Sequence, residues 1–169
     1  MDERLINEAI AGSREAFAEL YGGCKDKLYR YALYRLGSPE EAEDAVSECV
    51  LAAWKSIGSL RSSRAFGSWI FRILSNCCAS RIKDAISARE NIERVINEGG
   101  LTPSGSSPSL AVELAEALDR LDDGDREIVL LSVVAGMTSG EIADQTGLPA
   151  GTVRSKLSRS LAKMREFLS

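Results

Sequence analysis

The chain has 169 residues, enough for one domain or two small ones; 44% are hydrophobic but only 6% aromatic, so any core is mainly aliphatic. Lys and Arg total 21 against 25 Asp and Glu, a net charge of −4. No apolar run reaches the roughly 18 residues of a membrane span, and the N-terminal MDERLINEAI is too acidic and polar for a secretory leader. A cytoplasmic protein without membrane insertion is expected.

The sequence holds no histidine, which removes Ser-His-Asp and Cys-His chemistry and the commonest general base. An enzyme is therefore not expected, and no catalytic residue is assigned. Cys24, Cys49, Cys77 and Cys78 show no CxxC spacing, so neither a metal site nor a cofactor is predicted. Cys24, Cys49 and Cys77 fall on apolar helical faces and read as small core residues. The vicinal Cys77-Cys78 pair reads as two helix residues, one of them buried.

In chain order, nearly every segment repeats with a period near 3.6, and none shows β alternation, so the fold class is all-α. Phe17, Leu20, Tyr21, Cys24, Leu28 and Tyr31 form the first stripe. Ser38-Pro39-Glu40-Glu41 opens the next helix, with Ser38 as N-cap, Pro39 first in the helix and Glu41 able to close a capping box. Its stripe is Ala42, Ala45, Val46, Cys49, Val50, Ala53, Trp54 and Ile57. A third helix begins near Arg64 and carries Phe66, Trp69, Ile70, Ile73, Leu74 and Cys77. GGLTPSGSSPS (Gly99 to Ser109) reads as flexible linker. Two small helical domains follow, 1–89 and 111–169, joined by 90–110. In the second, Leu110, Leu114, Leu118 and Leu121 precede Ile128, Leu131 and Val134. The DDGD stretch around Asp122, Asp123 and Asp125 reads as a solvated turn and helix cap. Thr138-Ser139-Gly140-Glu141 offers another capping box, ahead of a short helix to Thr146. A longer helix from about Ala150 carries Val153, Leu157, Leu161, Met164 and Leu168.

Charge is unevenly placed. Residues 61–89 hold 6 basic groups and 1 acidic, net +5, and Gly151 to Arg165 holds five cations and no anion. Two basic helical segments in an acidic chain suggest two contacts with a polyanion. In the C-terminal one, EIADQTGLPAGTVRSKLSRSL has the pattern of a helix-turn-helix. Ala143 is small where two helices cross, Gly147 suits a left-handed turn, and Val153 packs the second helix on the first. The second helix then offers Thr152, Arg154, Ser155, Lys156, Ser158 and Arg159 to a major groove. In the other segment, Arg61, Arg64, Arg72, Arg81, Lys83 and Arg89 interleave with Phe66, Trp69 and Phe71. That composition suits the backbone and unstacked bases of a single strand, although Phe66 and Trp69 also read as core.

The order of EEAEDAVSECVLAAWKSI, LRSSRAFGSWIFRILSNCCASRIK and ALDRLDDGDREIVLLSVVAGMTSGEIADQTGLPAGTVRSKLSRSLAKMREFL resembles the extracytoplasmic-function (ECF) subfamily of sigma-70-type RNA polymerase sigma factors. The resemblance implies that 1–89 is sigma region 2, which docks on core RNA polymerase through Asp44, Ser47 and Glu48. The same region would hold the −10 element through Arg61, Arg64, Trp69, Arg72, Asn76, Arg81 and Lys83, with Asn76 at a loop-proximal pocket for a flipped-out base. It implies that 111–169 is sigma region 4, reading the −35 element of promoter DNA through Thr152, Arg154, Ser155, Lys156, Ser158 and Arg159. Many such factors are held by an anti-sigma factor. Ser47 stands where the family commonly has Gln, and Ser158 where some relatives have an aromatic residue. Two other classes fit parts of the chain. A helix-turn-helix regulator would bind duplex operator DNA without polymerase, but leaves the basic aromatic segment 61–89 unexplained. A nucleic-acid enzyme would need clustered carboxylates or a nucleophile with a base; Asp122, Asp123 and Asp125 are clustered but read more simply as a solvated turn and helix cap.

Overall fold

A computed structural model describes residues 2–91 and 108–169. Among the described residues there are eight α-helices: α1 (Glu3–Ile10), α2 (Arg14–Leu36), α3 (Pro39–Ser56), α4 (Phe66–Asn91), α5 (Pro108–Asp119), α6 (Asp123–Val133), α7 (Ser139–Thr146) and α8 (Ala150–Leu168). The all-α expectation is met.

In the N-terminal module, local chemistry sets the helix ends. Ser13 caps α2 by accepting from the Ala16 N–H at 3.1 Å, and Gly37 ends it at φ 77°, a left-handed conformation that glycine adopts without a Cβ penalty. Ser38 caps α3 as its spacing predicts, accepting from the Glu41 N–H at 3.3 Å. The box is not closed in return, because the Glu41 carboxylate is drawn 3.0 Å from the Arg81 guanidinium instead. Ala42, Ala45, Cys49 and Ala53 are all fully buried, and their small side chains let α3 lie close against its neighbours. Phe17 of α2 packs on Trp54 of α3 with ring centroids 5.2 Å apart. The apolar periodicity announces no helix ahead of Phe17, yet one forms there. Asp2 caps it by accepting from the Arg4 N–H at 2.9 Å, and α1 turns Ile6 and Ala9 inward.

The helix expected from about Arg64 starts two residues later, at Phe66. Ser62 accepts from the Arg64 N–H at 3.2 Å and caps a separate 3-10 turn over Ser63–Ala65. The buried track of α4 is Phe66, Ile70, Phe71, Leu74 and Cys78, whereas Trp69, Ile73 and Cys77 are half-buried. Cys78, not Cys77, is therefore the core cysteine. The shift follows from what α4 must meet: Phe71 packs edge-on to the buried Tyr31 ring at 5.9 Å, and Ser75 accepts from Arg35.

In the C-terminal module, Asp122 caps α6 by accepting from the Asp125 N–H at 2.8 Å. Arg126 turns back to donate to the Leu118 and Leu121 carbonyls at 3.0 and 2.9 Å, which satisfies the end of α5. Helices α4 and α5 overrun the predicted linker at both ends. Its residues 90–91 continue α4, and Pro108, well suited to a first helical turn, starts α5 inside it. The remainder, 92–107, lies outside the described residues.

The two modules are packed together around Arg35, whose side chain is only 2% exposed. Its Nη1 donates to Tyr31 Oη at 3.0 Å, to Ser75 Oγ at 3.1 Å and to the Ser75 carbonyl at 3.2 Å, all within the N-terminal module. Its Nη2 donates across the boundary to Asp123 Oδ2 at 3.3 Å, and Glu127 Oε2 lies 3.6 Å from Nη1. Ser75 Oγ also donates to Glu127 Oε2 at 2.5 Å. Apolar residues of both modules join one buried cluster around this pairing.

Leu74 is fully buried where α4 meets the rest of the core. Leu74→Ala should lower unfolding stability by about 2–5 kcal/mol, read as an earlier urea midpoint with helical content retained at zero denaturant.

Candidate nucleic-acid interface

The helix-turn-helix forms as its sequence predicts. Thr138 accepts from the Glu141 N–H at 3.1 Å, and the Glu141 carboxylate accepts from the Thr138 N–H at 2.9 Å, completing the capping box. Gly147 adopts φ 79° and ends α7. Ile142 and Val153 are fully buried and seat α8 on α7. Arg154, Ser155, Ser158 and Arg159 line one shallow, open concavity on the outer face of α8. Arg154 and Arg159, five residues apart, are about 140° apart around the helix and flank that concavity. Pro149 gives the start of α8 no side-chain cap, so its first N–H groups are free of a side-chain acceptor and suit a phosphate.

Lys156 is placed differently from the other predicted groove residues. Two residues past Arg154, it is about 200° around the helix and points inward. Its ammonium lies 3.5 Å from Asp125 Oδ1. Asp123 pairs with Arg35 and Asp125 with Lys156, so the DDGD stretch is not a merely solvated turn.

On α4 the geometry divides the predicted strand-binding set. Trp69, Arg72, Asn76 and Lys83 lie within about 60° of one another at 100° per residue. They form one stripe, with Arg72, Asn76 and Lys83 exposed and Trp69 half-buried beside Phe66. Arg61 and Arg64 are exposed just before it. Arg81 lies on the opposite flank, facing α3. There it pairs with Glu41 and Glu48, and its Nη1 is 4.0 Å from Asp44. Asn76 is exposed in the middle of a continuous helix rather than beside a loop, because α4 has no proline and no glycine after Gly67.

On α3, Asp44, Ser47 and Glu48 are all exposed on one face. Sequence reasoning missed Leu51, which is 61% exposed on that face, an unusual position for a large aliphatic side chain. The i, i+4, i+7 spacing from Asp44 could have found it. Tyr21, Tyr29 and Lys25 of α2 share an open groove with Asp44 and Ser47.

The cysteines take no part in these surfaces except as core. Burial pushes the Cys24 thiol up to about 11 and the Cys78 thiol up to about 12. Burial raises Cys49 as well, and raises the half-buried Cys77 with help from Glu48. All four stay protonated near neutrality and are poor nucleophiles. In the folded chain at pH 8, iodoacetamide should label them much more slowly than in urea; rapid native labelling of Cys78 would contradict its burial.

Residues 20–86 match the family described as Sigma-70 region 2, and residues 111–164 match Sigma-70, region 4. The chain is 30% identical to the ECF RNA polymerase sigma factor SigL of Mycobacterium tuberculosis (strain ATCC 35801 / TMC 107 / Erdman), over 95% of this chain and 93% of that one. It is 27% identical to the ECF RNA polymerase sigma factor SigW of Bacillus subtilis (strain 168), over 99% and 97%. Among solved structures, CnrH in complex with the cytosolic domain of CnrY superposes with a TM-score of 0.73 at 27% identity, covering 99% of this chain and 96% of that one. The sigma factor RpoE of Bartonella quintana, in complex with the anti-sigma factor NepR, shares the fold with a TM-score of 0.80 at 23% identity, covering 90% and 96%.

Proposed function

The chain belongs to the ECF sigma factors of RNA polymerase, which direct promoter-specific transcription initiation, and from that premise we propose how its surfaces divide the work. The family is regulatory rather than catalytic. Residues 1–89 dock on core polymerase and hold the −10 element, 90–110 connect, and 111–169 read the −35 element. The reading is supported most by the α3 and α4 stripes, two chemically different faces on adjacent helices.

The α3 face carries Asp44, Ser47 and Glu48 around exposed Leu51, an apolar centre with a polar rim that suits a protein partner. The α4 stripe carries cations and an indole, which suit a melted strand: Arg72 and Lys83 hold phosphate, Trp69 stacks and Asn76 reads a base edge. Arg81, held by α3 carboxylates on the opposite flank of α4, lies outside the strand-binding stripe. Arg61 and Arg64 extend the cationic track. On α8, Arg154, Ser155, Ser158 and Arg159 meet the major groove, Thr152 lies at the helix start, and Lys156 braces α8 against α6. No nucleotide hydrolysis is required, since strand separation is offset by stacking and base capture. The polymerase partner places the work of the chain in the cytoplasm; separately, among the described residues no helix is long and apolar enough to cross a membrane. CnrH is found in complex with the cytosolic domain of CnrY, and an anti-sigma factor is the further protein partner proposed for this chain.

The test is run-off transcription from duplex promoters with purified core polymerase. Transcripts should require the chain together with both promoter elements. Tight operator binding without stimulation of core would instead favour a free-standing regulator. Glu48→Lys should weaken association with core at least about tenfold and leave helical content intact. Normal core binding by that variant would place docking elsewhere. Arg154→Ala or Arg159→Ala should cost about 1–3 kcal/mol in −35 binding if a base contact is lost. If a phosphate contact is lost, the salt dependence should flatten instead. Asn76→Ala should leave −35 duplex binding unchanged, slow open-complex formation and be only partly restored by a pre-melted −10 template.

A further inference from the structure

We infer that Asp125 and Lys156 are a positioning pair that fixes the rotation of α8, so that Asp125, a carboxylate outside the groove surface, governs how selectively the −35 element is read. The inference rests on the reading of α8 as the −35 helix proposed above.

Three observations carry it. The first is where Lys156 lies around α8. With the fully buried Val153 as the inward direction, Arg154, Ser158, Ser155 and Arg159 fall between about 100° and 240°. Lys156 falls at about 300°, outside that arc and closer to Val153 than to the centre of the groove face. The buried Ser160 falls at about 340° and the half-buried Leu157 at about 40°. The inward face of α8 therefore has an apolar flank at Leu157 and a charged flank at Lys156.

The second observation is the state of Asp125. Its backbone N–H donates to Asp122 Oδ1 at 2.8 Å, which places it in the first turn of α6. That helix is itself held in place. Ile128 and Leu131 are buried, and the Arg126 side chain donates to the Leu118 and Leu121 carbonyls. Asp125 Oδ1 is buried and makes no hydrogen bond among the described residues. The Lys156 ammonium, 3.5 Å away, is the charge that faces it; the two side chains are 34% and 27% exposed for Lys156 and Asp125. A carboxylate oxygen withdrawn from water depends on such a cation.

The third observation is the tolerance of the groove contacts. Apolar packing at Val153 and Leu157 is non-directional and allows a small turn of α8 about its own axis. A turn of about 20° carries a side-chain tip at a radius of ~6 Å through ~2 Å. A hydrogen bond to a base edge has a range only about 0.5 Å wide. Arg154 and Arg159 therefore keep their aim only if the rotation is held. The ion pair holds it, because turning α8 draws the ammonium away from a buried oxygen. Asp125 itself lies on α6, apart from the concavity lined by Arg154, Ser155, Ser158 and Arg159.

The pair is tested with the full chain and a short fluorescein-labelled duplex that the wild-type chain enriches from a randomised pool, measured against a scrambled duplex of the same composition. Asp125→Asn should lower the preference for the enriched duplex about tenfold, with far-UV circular dichroism unchanged. The sign separates the two roles open to Lys156. Were it a groove contact, Asp125→Asn would remove an anion and release a cation beside the DNA, and binding would tighten. Lys156→Gln should show the same loss, and the double variant should lose no more than either single one, because the second change removes nothing that is still paired. Lys156→Arg, which keeps a cation within reach of Asp125, should retain the wild-type preference. The salt dependence of binding should be unchanged in Lys156→Gln, whereas a lost phosphate contact would lower its slope by about 1. Should Asp125→Asn lose helix, that salt slope decides instead. Unchanged or tighter binding by folded Asp125→Asn, or a slope lowered by about 1 in Lys156→Gln, overturns the positioning role. A wild-type chain that enriches no duplex overturns the −35 reading of α8 itself, and does so before any variant is made.

Discussion

Arg35 is a cation withdrawn from water, and the arrangement of the whole chain follows from how that charge is satisfied. Its long stem lies among Tyr31, Ser75 and the aliphatic core, while the guanidinium spans from α2 to the first turn of α6. A buried ion pair adds little net stability compared with apolar packing, but removing one partner leaves a costly bare charge. Such a contact selects one arrangement strongly while contributing modestly to overall stability. Tyr31 shares the constraint: burial drives its hydroxyl to resist ionisation, and Arg35 only partly opposes this. It therefore stays a neutral acceptor for Nη1.

The second organising feature is the contact between α3 and α4. Small residues on α3 let the helices lie close, and Cys49 Sγ reaches within 3.6 Å of the Ile70 carbonyl. That closeness leaves the outer face of α3 free for partners, while the start of the α4 stripe meets α7 through Arg72. It also brings Arg81 among the carboxylates of α3, so the acidic docking face is partly neutralised from within. A charge reversal at Glu48 therefore does two things: it removes an anion from the partner surface and places a cation beside Arg81.

Much of this was legible in the sequence wherever a local rule and a tertiary demand agreed. Ser38, Gly147 and the Thr138/Glu141 box cap and end helices by short-range hydrogen bonds, which any context would allow. The inward stripe of α3 followed from its period. Reading went astray where a partner elsewhere in the chain decided the outcome. Glu41 fits a capping box but is taken by Arg81, forty residues away. Cys78 rather than Cys77 is buried because Tyr31 and Arg35 draw Phe71 and Ser75 inward and rotate α4. DDGD has the composition of a solvated turn, and nothing local announces that Asp123 meets an arginine 88 residues earlier. Helix α1 gives little periodic signal, because its apolar face is only Ile6 and Ala9 with flanking Leu5 and Ile10, a short stripe in a polar stretch. By contrast, the separation of Arg81 from Trp69, Arg72, Asn76 and Lys83 needed only the 100° arithmetic of a helix, and Leu51 only the spacing from Asp44.

The dependence of the buried Arg35 on its carboxylate partner across the module boundary is tested most directly by a double-mutant cycle. Arg35→Met, Glu127→Gln and the double variant would be compared with the wild type in urea unfolding followed by circular dichroism. The account predicts that the two substitutions are coupled by more than about 1 kcal/mol, because once Arg35 is gone Glu127 has no buried charge left to neutralise. Effects that add to within about 0.5 kcal/mol would contradict it, since they would mean that Arg35 and Glu127 do not depend on each other in the folded chain.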